Sequence, residues 1–308
     1  MTHIDFIGNF KKYCILSIVL VAVILAATIF VGPQLAIEFK GGSIITYTYD
    51  GEMDIGAFQS RVQELTAQEA AFQQSKDLAS GIETIVVSLP GSRSLNADQM
   101  ISLSEGLAES FPENNPRTVS INNVDPTIGA EFLAKSLVAV AVASLLIIIF
   151  VAFRFRKIGG VSAGVMAVIA LLHDVIIVYG VFIIFRISID ANFIAVVLTI
   201  LGYSVNDTIV IYDRVRENRR LMGTRAPLAD LVNTSINQSF RRSLNTSITT
   251  VLAMVVVTIV AMMYNVTSII SFSFPMILGL ISGAYSSICI AGPLWVKWRQ
   301  HKMNAQAA

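Results

Sequence analysis

The sequence predicts a polytopic α-helical membrane protein with one α+β domain outside the bilayer. Three observations carry this reading: six apolar runs of spanning length, Lys and Arg gathered at alternate ends of those runs, and one long acidic segment between the first run and the second. The 308 residues are 54% hydrophobic and only 14% charged, against roughly 25% charged in soluble domains. The net charge of +1 carries no information about partners, because the charges are sorted by segment. Such sorting reports topology, and there is no nucleic-acid signature.

A helix needs about 20 mostly apolar residues to cross the hydrocarbon core. Runs of that kind cover 13–31, 136–153, 161–185, 189–212, 244–264 and 269–295. Lys11 and Lys12 before the first run resemble a signal-peptide head. The run exceeds the h-region of about 7–15 residues that such peptides carry, so a retained helix is expected.

Cytoplasmic flanks carry the Lys and Arg excess. Here that excess falls at Lys11 and Lys12, at Arg154, Arg156 and Lys157, at Arg214, Arg216, Arg219, Arg220, Arg225, Arg241 and Arg242, and at Lys297, Arg299 and Lys302. Both termini are therefore expected in the cytoplasm of a cell whose inner membrane holds the chain. The outer loops around 186–190 and 265–267 are short, and only 33–135 is long enough for a domain. Residues 34–134 hold 14 acidic and five basic side chains, a net of −9. The expected organisation is 1–32 for the cytoplasmic N-terminus and first helix, 33–135 for the periplasmic domain, 136–296 for a five-helix bundle and 297–308 for a cytoplasmic tail.

Within the outer segment, 42–49 is rich in Ile, Thr and Tyr, as a strand is. Ile55, Phe58, Val62 and Leu65 recur at helical spacing, a strand falls near 70–74, another at 83–89, a helix at 96–110 and a last strand at 118–124. Breaks fall at Pro90-Gly91 and between Pro112 and Pro116. The order βαββαβ is that of the split-βαβ, ferredoxin-like pattern.

Cys14 and Cys289 lie inside apolar runs and read as small buried hydrophobes. His3, His173 and His301 are far apart in the chain, with no Cys/His cluster, so neither a metal site nor a cofactor is expected. Ionisable residues within spans are costly, which makes them functional hypotheses. In the fourth span Thr199, Tyr203, Asn206 and Asp207 form a polar stripe at three- and four-residue spacing, expected to look into a bundle. A carboxyl in so low a dielectric favours its neutral form, so Asp207 is a candidate proton relay. Arg242, followed by Asn245, Thr246, Thr249 and Thr250, would favour the anion on approach. The competing readings are a structural hydrogen bond for Asp207 and snorkelling for Arg242. For His173-Asp174 in the third span, packing is preferred over function. In the last span Gly279, Gly283, Ser287 and Ala291 put a small residue at every fourth position, a face that lets another helix approach.

The run LTILGYSVNDTIVIYDRVREN at 198–218 resembles the signature of SecF, in the SecD/SecF family of the RND superfamily. FKGG at 39–42, ALLHD at 170–174 and NQSFRRSLNTSITT at 237–250 are similar to the same family. The family usually has aspartate before FKGG and glycine in its Val-x-Pro-x-x-Gly element, where Glu38 and Asp125 stand here.

The resemblance implies a subunit that pairs with SecD in a pseudosymmetric twelve-span unit, with SecYEG, SecA and YajC as associated components and a preprotein as cargo. It implies proton flow driving late steps of export and preventing backsliding, without covalent catalysis. By position Asp207 matches the family's relay aspartate and Arg242 its membrane arginine; Asn206, Tyr203, Thr199, His173 and Asp174 are supporting polar residues. The alternatives are a passive scaffold of the translocon and a small-molecule exporter subunit of the same superfamily.

Overall fold

The structure is a computed structural model describing residues 4–68, 70–76, 83–90, 95–223, 226–264 and 266–307. His3, Gly91, Arg225 and Asn265 lie outside the described residues. In chain order the elements begin with helix α1 (Phe10–Val31) and the short helix α2 (Ile37–Lys40). Strand β1 (Gly42–Thr48), helix α3 (Ile55–Thr66), β2 (Ala71–Lys76), β3 (Glu83–Pro90), α4 (Ala97–Ser110) and β4 (Arg117–Val124) follow. The remaining helices are α5 (Pro126–Arg154), α6 (Gly160–Ile184), α7 (Ala191–Leu221), α8 (Leu228–Met263), α9 (Thr267–Ser286) and α10 (Gly292–Ala307), with a π-helical turn at Ser287–Ala291 between the last two.

The four strands form one antiparallel sheet in the order β2-β3-β1-β4. A helix crosses over between β1 and β2 and another between β3 and β4, so the element order matches the one the hydrophobic pattern predicts. Ile45 and Tyr47 on β1 and Ile85, Val87 and Leu89 on β3 alternate toward one face, where Phe58 and Val62 of α3 and Leu103 and Leu107 of α4 cover them. Local chemistry starts both helices. The Asp54 carboxylate accepts from the N–H groups of Gly56 and Ala57, and Asn96 with Gln99 makes a reciprocal capping box.

Among the described residues six helical stretches are long and apolar enough to span a membrane. Among them α6, α7 and α9 make the buried centre, and α1, α5 and α8 the perimeter. On the perimeter Ile15, Ile18, Ile29 and Phe30 of α1, Leu145 and Ile149 of α5 and Val256 of α8 stand exposed, the surface hydrocarbon would cover. At about 1.5 Å per residue, the 31 residues of α7 and 36 of α8 exceed a core of about 30 Å. The arginine-rich stretch between the fourth and fifth spans is thus largely helix extended past the bilayer, not loop. There Asn233 and Asn237 of α8 tie down the N-terminus. Asn237 Oδ1 accepts from Ile4 N–H and Asn233 Oδ1 from Phe6 N–H, each at 2.9 Å.

The sheet meets the bundle at two clamps. Ala36 N–H donates to Ile189 O and Ile189 N–H to Gln34 O, at 3.0 and 2.7 Å, while Glu38 Oε2 accepts from Ala191 N–H, the first of α7, at 3.2 Å. On the other side the Phe39 and Phe132 rings stack with centroids 5.4 Å apart, and Gly129 lies so close that a Cβ there would sit 3.0 Å from the Phe39 backbone. Both departures from the family pattern are used structurally. Glu38 reaches the head of α7, and Asp125 caps α5. The Thr127 hydroxyl, with its N–H, holds the Asp125 carboxyl below the usual carboxylate range.

The small-residue face of the last span is a packing face. Gly279 abuts Ile200, and Gly283 lies where a Cβ would come within 3.0 Å of Ser204 Cβ. Ser204 Cβ is a stiff neighbour next to the backbone, so Gly283→Val should overpack the α7–α9 contact. Its expected cost is about 1–3 kcal/mol, read as a lowered melting midpoint in detergent. An unchanged midpoint would show that the contact yields freely.

Candidate functional site

Helix α7 runs through the bundle and carries the predicted stripe, but the stripe does not stay on one face. Asp207 is 3% exposed and buried against α8, Tyr203 is half-buried, and Thr199 and Asn206 face outward. The expectation that all four look into the bundle is corrected for this chain. Successive residues on a helix turn by about 100°, so Asn206 and Asp207 cannot share a direction. Thr199 meets its need locally, its hydroxyl donating to Ala195 O.

At Asp207 the carboxylate accepts from the Ser247 hydroxyl of α8 at 3.3 Å, a long contact. One turn toward the sheet side, the Tyr203 hydroxyl donates to Thr250 Oγ1 at 3.0 Å. Among the described residues Arg242 makes no ion pair with Asp207, whose one hydrogen-bond partner there is Ser247. Its side chain is exposed on α8 beside Asn245, Thr246 and Thr249, which are exposed too. With Thr199, Gly202 and Asn206 of α7, these residues form a polar and small-residue surface flanking the buried acid. The threonine hydroxyls return to carbonyls of their own helices, whereas hydrocarbon offers no partner to the side chains of Asn206, Arg242 and Asn245.

A second polar centre lies deeper. Asp174 of α6 is 0% exposed. Its carboxylate accepts from Ser282 and Ser286 of α9, each at 2.6 Å, and from Ser204 of α7 at 2.9 Å. His173 Nδ1 stands 3.2 Å from its Oδ1. From Ser204 the network continues toward Asp207: Thr208 donates to Ser287, and Ser287 to Ser204 O, both at 3.0 Å. Ser287 opens the π-helical turn of the last span, a geometry concentrated at functional positions. Sequence reasoning missed Ser204, Ser282, Ser286 and Ser247. Serines are ordinary in membrane helices, and only the fold shows which carboxylate they reach.

Six spans around two buried carboxylates, with an outward-facing polar surface on one flank and a small α+β domain clamped to the helix that bears one of the acids, define a polytopic membrane transport component. A family model described as "Protein export membrane protein SecD/SecF, C-terminal" matches residues 105–301. The SecF subunit of the protein translocase of Alicyclobacillus acidocaldarius is 34% identical over 89% of this chain and 85% of its own. The SecDF subunit of Bacillus subtilis is 37% identical over 61% of this chain and 25% of its own. The crystal structure of SecDF from Thermus thermophilus, a translocon-associated membrane protein, superposes with a TM-score of 0.79 at 30% identity, over 97% of this chain and 39% of that one. The chain belongs to the SecD/SecF family of protein translocase subunits. In the SecDF relatives the matched region is one part of a longer chain.

Proposed function

We propose that this chain is the SecF-type half of a proton-coupled export motor, with a SecD-type partner closing the flank of α7 and α8. The carrying observation is Asp207, a buried carboxylate held by one long hydrogen bond and flanked by the exposed Arg242 and Asn206, polar side chains that lipid cannot satisfy. Coupling-ion sites of transporters built from repeats lie at the interface between the repeats. A partner seated there would enclose Arg242 and bring it and its own acidic groups to Asp207.

In this reading the arginine-rich side is cytoplasmic and the ferredoxin-like domain is periplasmic. SecYEG, SecA and YajC are the surrounding machinery and a preprotein is the cargo. Each proton crossing is worth about 2.3 kcal/mol per 100 mV, several times thermal energy and enough to bias a domain between two positions. The clamps at Ile189, Ala191 and Phe132 supply the mechanical link. A tilt or shift of α7 on protonation of Asp207 pulls directly on the segment leading into β1. The chain's own chemistry is proton binding and release, with no bond made to the cargo.

The test is completion of preprotein export in inverted inner-membrane vesicles holding this chain and its SecD partner, with and without an uncoupler after the ATP-driven step. The expected result is a completion phase that needs both the chain and the gradient. A stimulation by the chain that the uncoupler leaves untouched would favour the passive scaffold.

A further inference from the structure

On α8, Ser235, Ser239, Ser243 and Ser247 recur at every fourth residue and are all buried, at 0%, 5%, 1% and 4% exposure. Both ends of this row touch α7. Asn218 Nδ2 donates to Ser235 Oγ at 2.9 Å, and Ser247 donates to Asp207. Ser239 and Ser243 therefore lie between them on the same face. Across from the row, α7 presents the buried apolar side chains of Ile211 and Val215, so the serines supply the polar atoms of the seam.

Two other buried hydroxyls of α8 are satisfied within their own helix. Ser235 donates to Leu231 O, and Thr258 to Met254 O, the usual return to the preceding turn. Ser243 Oγ is buried with no hydrogen-bond partner among the described residues. A buried hydroxyl left without a partner costs stability, and this one stands one turn from the Ser247 that holds Asp207.

We infer that this serine row is the proton conduit between Asp207 and the arginine-rich side of the membrane, with Ser243 as the hydroxyl that holds a water in the line. The Cβ atoms of residues four apart on a helix lie about 5–6 Å from one another, and hydroxyls that lean toward each other shorten that to the roughly 4.5–5.5 Å that one water in each interval bridges with two hydrogen bonds of about 2.8 Å. A hydroxyl both donates and accepts. A proton released by the Asp207 carboxylic acid is taken up at the near end of the row as another leaves the far end. Each Oγ accepts one proton and gives up its own, and no bond to carbon changes. At the far end the buried Asn218 also donates from Nδ2 to Oε1 of the exposed Gln238 at 2.8 Å, and Arg214 Nε donates to the same oxygen at 2.6 Å, which carries the line of polar groups to the surface.

This inference rests on the proton-relay reading of Asp207, and the experiment separates the two. The chain and its SecD partner are reconstituted in vesicles, and gradient-driven proton flux is read with an enclosed pH dye at matched levels of assembled protein. Ser243→Thr and Ser243→Val have the same shape and differ by the hydroxyl, and Ser243→Ala removes the hydroxyl without adding bulk. The expected result is flux within about twofold of the parent for the threonine variant and at least tenfold lower for the valine and alanine variants, with the melting midpoint preserved in Ser243→Ala and lowered by the same amount in the equally bulky threonine and valine variants. Flux in Ser243→Ala equal to the parent, or equal flux in the threonine and valine variants, would overturn the conduit. If in that case Asp207→Asn still abolishes flux, the relay stands and its protons travel another way.

Discussion

Asp207→Asn is expected to abolish the gradient-dependent phase of export while leaving the amount of assembled protein unchanged. Asparagine is nearly isosteric with aspartic acid and keeps a carbonyl oxygen that can accept the one hydrogen bond Asp207 takes, from Ser247. The fold therefore loses little. What the amide lacks is a proton to exchange at any accessible pH, so every cycle that loads and unloads this position stops. The effect expected is complete loss of the uncoupler-sensitive component with the ATP-driven component intact, measured as completed preprotein in inverted vesicles. Retention of the uncoupler-sensitive component in this variant would remove Asp207 from the proton path.

Asp174→Ala is expected to do the opposite, damaging the fold ahead of the transport step. Asp174 is the common acceptor for hydroxyls from two other helices and stands beside His173. Each buried donor deprived of its acceptor costs about 1–3 kcal/mol, and serines on helices recover part of that by turning back to the preceding turn. A net loss of about 3–5 kcal/mol follows, of the size seen when one partner of a buried charged network is removed. At about 2–4 °C per kcal/mol for chains near this size, the melting midpoint in detergent should fall by roughly 10 °C and the assembled amount with it. Asp174→Asn should fall less, because one acceptor oxygen remains and a serine hydroxyl can turn to accept from the amide. If Asp174→Ala melts with the parent, the centre is not what holds α6, α7 and α9 together.

These two carboxylates show what was legible in the sequence. Asp207 announced itself, because an ionisable side chain within a spanning run has no inexpensive explanation. Asp174 is equally visible as a residue, but beside His173 the sequence favours packing over function. Its structural importance comes from Ser204, Ser282 and Ser286, lying 30, 108 and 112 positions away. No periodicity connects residues at such separations. Asn206 points outward for a different reason. Three- and four-residue spacing places residues near one another on a helix surface, but a stripe wide enough to hold both 206 and 207 spans a quarter turn or more, and a neighbour can cover only part of it.

The sequence by itself determined the six spans, the element order of the α+β domain and the family, since these follow from run length, from two- and four-residue periodicity and from a contiguous signature. Tertiary structure alone decided that Asp207 faces Ser247 while Arg242 stays outside, that Asp174 gathers three serines, and that Glu38 reaches the first N–H of α7. The reason is physical. Periodicity fixes how a residue is turned about its own helix axis, whereas the partner a buried polar group finds depends on how separate helices pack, and that is settled by shape complementarity spread over the whole bundle.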